Sequence, residues 1–212
     1  MSFAKYKYLV RADLYRLTQT KSDAAFLRQL LFGESYKYIF WMRTCRFAVS
    51  HRFLRYTLYP IARLLLRKYT YKFGMSIPFE TEIGSGFYIG HFGGIFVHPH
   101  CRIGKNCNLS QGVTLGQSNR GKNMGVPRIG DNVYIGPGAK IVGAVKVGDN
   151  VAIGANCVVT KDVPDYGVVA GVPGKVISWA GSKDYVNHTD YETPESRQRE
   201  FILANHEAHL PE

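Results

Sequence analysis

Only four cysteines occur in the 212 residues, Cys45, Cys101, Cys107 and Cys157, and no two are spaced C-x-x-C. With no secretory signal in front of them, this pattern speaks against a disulfide framework or a four-cysteine zinc site, and a reducing cytoplasm is the expected setting. Long apolar runs are missing too. Arg43, Arg46, Arg52, Arg55 and Arg63 interrupt the most apolar region, and no stretch reaches the roughly 18 uncharged apolar residues that would suggest a bilayer span. Acidic residues are scarce at one end: residues 1–75 carry 15 Lys/Arg against 3 Asp/Glu, whereas residues 76–212 carry 12 against 13. The net charge of +11 therefore belongs to the first third, which also holds 17 of the 28 Phe, Tyr and Trp residues. The overall balance, 45% apolar and 20% charged, is that of a globular protein and excludes wholesale disorder or a fibrous repeat. The length allows one domain or one domain with an appendage.

What is abundant is a repeat. From Ile77 an aliphatic residue recurs as Ile83, Ile89, Ile95, Ile103, Leu109, Leu115, Ile129, Ile135, Ile141, Val147, Ile153 and Val159. The interval is six residues except from 95 to 103, read as a small bulge, and from 115 to 129, read as an ejected loop. Glycine often follows the aliphatic residue, as at 84, 104, 130 and 148, where a Cβ would obstruct a tight corner. Four residues after it stands a small apolar side chain, a slot that Cys107 and Cys157 share with Val113, Ala139 and Val151. Those cysteines are read as core. A period of six fits neither a helix nor one long strand. It predicts short strands joined by corners, three hexads to a triangular coil, with each coil buried by its neighbours: a parallel β-helix.

Ahead of the repeat, residues 1–75 read as a basic, aromatic helical domain, with Pro60 expected to start a second segment or kink the first. The coil is expected over 76–178. A polar C-terminal tail, 179–212, carries one expected short helix after Thr193-Pro194.

The tandem hexads, "QGVTLG" at 111–116 with the loop after it, "GPGAKIVG" at 136–143 and "AGVPGKV" at 170–176 resemble the hexapeptide-repeat acyltransferases, within them the serine O-acetyltransferase branch. The resemblance covers roughly residues 76–178. It implies an all-β left-handed parallel β-helix behind the helical N-terminal domain, a homotrimer with active sites between subunits, and acetyl-CoA as donor without a metal. By family position His91, in "YIGHFGG", is the general base, a task suited to imidazole because its ordinary pKa lies near 6.5. Coenzyme A carries phosphates that call for cations and backbone N–H groups. Gly116, Arg120, Lys122, Lys161 and Lys175 are the candidates for these, and Pro137, Ala155, Ala170 and Gly171 for the groove along pantetheine.

Four positions depart from the serine enzymes. Gly90, Gly125 and Val126 stand where those enzymes place an Asp and an Arg-His pair, and Ser76 where they place the Asp that orients the histidine. Activation of His91 is then expected from Ser76, from a backbone carbonyl, or from a carboxylate such as Glu80 or Glu82. Without that clamp a zwitterionic amino acid would leave its charges unpaired. "QGVTLG" and Asn123-Met124 are closer to the colanic acid and capsule O-acetyltransferases. The expected acceptor is therefore a carbohydrate hydroxyl, in a polysaccharide pathway, contacted by Ser76, Asn108, Ser110, Gln111 and Asn119. Serine acetylation is the alternative.

Nucleic-acid binding would need a recognisable module, and none is present. Two readings of the basic N-terminus stay open: helices packed around the trimer, or a peripheral contact with the anionic inner face of a membrane. A zinc hydratase using His91, His98 and His100 is disfavoured, because "AGVPGK" has no use in one.

Overall fold

The computed structural model describes residues 1–191. The expected helix after Thr193 lies outside the described residues. Four helices come first: α1 (Phe3–Thr18), α2 (Asp23–Phe32), α3 (Glu34–Val49) and α4 (Arg52–Phe73). Ser2 and Ser22 cap α1 and α2 by accepting from Lys5 N and Ala25 N. The interruption expected at Pro60 falls at Ser50–His51 instead, where Ser50 N and its Oγ both donate to the Phe47 carbonyl. Pro60 lies within α4 on its exposed side, so the carbonyl it leaves without an N–H faces water rather than a packed core.

The coil follows at once, in three sheets. The first runs β1 (Met75–Ser76), β4 (Ile95–Val97), β7 (Thr114–Gly116), β10 (Lys140–Val142), β13 (Val158–Val159). The second holds β2 (Glu82–Ile83), β5 (Arg102–Ile103), β8 (Arg128–Ile129) and β11 (Lys146–Val147). The third holds β3 (Tyr88–Ile89), β6 (Asn108–Leu109), β9 (Tyr134–Ile135), β12 (Ala152–Ile153), β14 (Val168–Ala170) and β15 (Lys175–Ser178). All pairings are parallel except β14 with β15, so the strand after "AGVPG" turns back and closes the stack. The architecture is a left-handed β-helix behind a helical N-terminal region.

Each coil contributes inward aliphatic residues to one continuous core, including Ile83, Ile103, Ile129 and Val147 beneath the second sheet. The small slots are filled as expected by Val113, Ala139, Cys107 and Cys157, all buried. Burial pushes the Cys107 thiol up to about 12 and Cys101 to about 11, which keeps them as inert packing.

One detail of the repeat is corrected. Val97, not Ile95, pairs with Leu115, while Ile89 pairs with Leu109. The two additional residues therefore lie at the corner 90–94, next to His91, and not after Ile95. Ile95 instead fills the small-residue slot and is buried. An extra aliphatic residue two places early hid this shift in the sequence.

The corner glycines act through close approach: a Cβ on Gly104 would stand 2.5 Å from the Gly130 carbonyl oxygen. Left-handed backbone also falls on Asn106, Asn132 and Asn150, which tolerate it. Their side chains join in a ladder, Asn106 donating to Asn132 at 3.0 Å and Asn132 to Asn150 at 3.1 Å. The tail after β15 is less free than its polarity implied. Tyr185 stacks on Tyr134 at 4.5 Å, and buried Tyr191 donates to Asn106 at 2.6 Å.

Candidate active site

His91 stands exposed on the enlarged corner between the third and first sheets. Beside it Phe92 meets Phe73, the last residue of α4, at a ring separation of 5.1 Å, and Gly94 N donates to the Gly74 carbonyl. The junction between helical domain and coil thus buttresses this corner. One coil further along the same edge is Gln111, whose Oε1 is buried without a hydrogen-bond partner, followed by Pro137, Ala155 and Gly171. Small residues leave this edge open to a long ligand. Ala170 ends β14 at its rim, Ser110 precedes Gln111, and Lys175 opens β15, exposed.

The remaining candidates occupy the other edge of the first sheet. Gly116 ends β7 and accepts from Gly143 N, and the loop after it is pinned by the Ser118–Gly125 bridge and by Asn123 donating to the Thr160 carbonyl. Asn119, Arg120 and Lys122 are exposed on that loop, and Lys161 lies exposed below it. From the Pro137 corner to the Gly143 corner the chain crosses the sheet in six residues, on the order of 20 Å at about 3.3 Å per residue. One copy of the chain therefore separates these cations from His91.

Asn108 is committed internally. Its side chain accepts from Arg16 and donates to the Tyr185 carbonyl at 2.8 Å, tying α1 and the tail to the third sheet. Ser76 lies exposed on β1, opposite Phe96 of β4, and borders a cleft of about 300 Å³ with Arg63, Arg67 and Glu80. Glu82 is elsewhere, in an ion pair with Arg102 at 3.0 Å. Among the described residues the His91 ring makes no side-chain hydrogen bond, so neither Glu80 nor Glu82 orients it within one copy. His98 and His100 pack edge to face at 5.3 Å, and among the described residues no three His, Cys, Asp or Glu side chains form a metal-holding group.

Two groups escaped the sequence reading. Lys140, on β10, reaches back toward the His91 edge and donates to the Gly112 carbonyl and, at 3.1 Å, to Thr114 Oγ1. Arg63 and Arg67 come from α4, far from any hexad, and only the fold brings them to Ser76.

Residues 127–161 match the family model described as bacterial transferase hexapeptide (six repeats). The serine acetyltransferase of Bacillus pumilus is 38% identical over 148 residues, covering 69% of this chain and 68% of its own length. The chain belongs to the hexapeptide-repeat acyltransferases. The Bacillus subtilis serine acetyltransferase is 36% identical with the same coverage, so the chain spans about two thirds of the length of these relatives. Among solved structures, a Brucella abortus serine acetyltransferase superposes with a TM-score of 0.68 at 28% identity, over 83% of this chain and 70% of that one. A Neisseria gonorrhoeae enzyme in complex with serine gives 0.66 at 30%, over 84% and 71%. This hexapeptide-repeat protein is an acetyl-CoA-dependent acyltransferase.

The same relatives overturn the expected carbohydrate acceptor and the polysaccharide pathway, for they are named serine acetyltransferases. The physical reason is visible in the cleft beside Ser76. Gly90, Gly125 and Val126 supply no charge to an amino acid. Arg63, Arg67 and Glu80 present charges of both signs at one cleft, so three uncharged positions do not exclude a zwitterion.

Proposed function

We propose that this acyltransferase moves acetyl from acetyl-CoA to the hydroxyl of serine. What supports the reading is the likeness to serine acetyltransferases over 148 residues, more than two thirds of the chain. In this reading His91 removes the serine hydroxyl proton as that oxygen attacks the thioester carbonyl. The tetrahedral oxyanion collapses by breaking the C–S bond, and the imidazolium returns the proton to the departing thiolate. Arg63 or Arg67 takes the serine carboxylate and Glu80 its ammonium, since a charge-assisted hydrogen bond contributes about 1.5–3 kcal/mol. The small-residue edge through Pro137, Ala155 and Gly171 receives pantetheine.

The working unit in this reading is a homotrimer. A threefold axis along the coil sets the loop edge of one copy, with Arg120, Lys122 and Lys161, against the His91 edge of the next. Exposed Phe92 and Phe96 beside that edge support such a contact. The remaining expectations, an internal location and residues 1–75 touching a membrane surface, stay part of this reading. No helix among the described residues is long and apolar enough to cross a membrane.

The test is product formation: acetyl-CoA with L-serine should yield O-acetylserine with release of free thiol. Thiol release without serine acetylation would reject serine as acceptor. On the donor side, Lys175→Ala should raise the KM for acetyl-CoA about 10-fold, the size of one charge-assisted contact to a phosphate, and less for a donor lacking the 3′-phosphate. An equal KM for both donors would leave Lys175 as a surface charge.

A further inference from the structure

Helix α4 turns Ala62, Leu66 and Phe73 inward and packs extensively on α3. Its opposite face is bare. At 3.6 residues per turn, Phe53, Tyr56, Pro60, Leu64 and Tyr71 fall in one stripe roughly 80° wide and about 27 Å long. Phe53, Tyr56, Leu64 and Tyr71 are 69–76% exposed, an apolar surface interrupted by Arg67 that a soluble face does not need. Cations border it: Arg52 at its N-terminal end and Lys68 and Lys72 along one side, while Arg63 on the other side and Arg67 within the stripe line the Ser76 cleft. The helix contains no acidic residue, and among the described residues none of these five cations has an ion-pair partner.

We propose that this face of α4 docks on the surface of an anionic lipid bilayer, with Phe53, Tyr56, Leu64 and Tyr71 entering the interface and the flanking Arg52, Lys68 and Lys72 meeting headgroup phosphates. Charge selects the occupant. A second copy laid stripe against stripe would oppose Arg and Lys to Arg and Lys, with no carboxylate on the helix to offset the repulsion. An anionic surface uses both elements together, the apolar stripe and the basic borders, and neither alone holds a protein stably on lipid. The geometry also has a use. The C-terminal end of α4 runs into β1, and Phe73 packs on Phe92 beside His91, so docking holds the candidate active site at the membrane surface.

Co-sedimentation of the full chain with vesicles tests this, comparing pure phosphatidylcholine with phosphatidylcholine containing phosphatidylglycerol, at low and high salt. Binding should occur only to the anionic vesicles and fall with salt. Arg52→Glu with Lys68→Glu should weaken partition at least about 25-fold, at roughly fivefold per cation. Phe53→Ser with Leu64→Ser should weaken it at least about 10-fold, from the lost apolar burial. Both double variants change exposed side chains only, so melting temperature and acetyl transfer in solution should match the parent. Equal binding to both vesicle types, or anionic binding untouched by either double variant, would overturn the proposal. So would a larger assembly of the parent that Phe53→Ser with Leu64→Ser dissolves, since a second copy would then cover the face.

Discussion

Replacing His91 by alanine is expected to slow acetyl transfer by roughly 10²–10⁴-fold, the usual contribution of a positioned general base. The melting temperature and the KM for acetyl-CoA should stay near the parent values. The separation of these effects follows from placement. The ring is exposed on a corner and makes no side-chain hydrogen bond among the described residues, so truncation strands no buried polar group and opens no cavity. Pro137, Ala155 and Gly171, the proposed donor groove, lie two to four coils away and keep their backbone. Turnover with each variant, beside a melting curve and a KM for the donor, checks the expectation. A variant that turns over near-normally would move the base to another group, and a variant that melts early would mean that the enlarged corner needs the ring for its shape.

The β-helix was legible because its cause is local and repetitive. Thirteen aliphatic positions at near-constant spacing have one economical solution, and the sheets place Ile83, Ile103, Ile129 and Val147 one above another. The bulge was misplaced for the opposite reason. Ile95 and Val97 are both buried, and hydropathy alone does not say which one carries the register. His91 was legible from the phrase around it, but not the corner that presents it. Asn108 shows a different failure. A polar residue beside a glycine-rich corner reads as a contact to the acceptor, whereas Arg16 from α1 and the Tyr185 carbonyl from the tail satisfy it. No local pattern connects positions so distant in sequence. The acceptor was misread in the same way: absence of charge at three coil positions said nothing of Arg63 and Arg67, which a helix from another region carries to Ser76.

Removing the Arg43 guanidinium is expected to cause the largest loss of stability among single changes in the helical domain. Arg43, on α3, is buried and donates to Asp13 of α1 at 3.0 Å and 3.3 Å. It donates as well to the carbonyls of Ile83 at 2.7 Å and Gly84 at 2.6 Å. Asp13 in turn accepts from Phe87 N at 2.8 Å. Two helices are thereby fastened to the corner 84–87, the segment that leads through β3 into His91. Arg43→Met keeps the stem but strands a fully buried carboxylate and two carbonyls, and breaking one side of a buried pair costs about 3–5 kcal/mol. At about 2–4 °C per kcal/mol for a chain of this size, the melting temperature should fall by roughly 6–20 °C. Asp13→Asn in the Arg43→Met background removes the stranded charge while leaving an oxygen for Phe87 N, so the double variant should recover part of the loss. The coupling expected between two such contacting groups is about 0.5–3 kcal/mol. Additive losses would mean that the two side chains hold the helices independently, and a near-neutral Arg43→Met would place the fastening of the helical domain in its apolar contacts with the coil. Because the corner 84–87 feeds β3, the same variant should also lower acetyl transfer below its melting point, with the KM for acetyl-CoA less affected than turnover. The proposed donor groove lies on later coils that Arg43 does not touch.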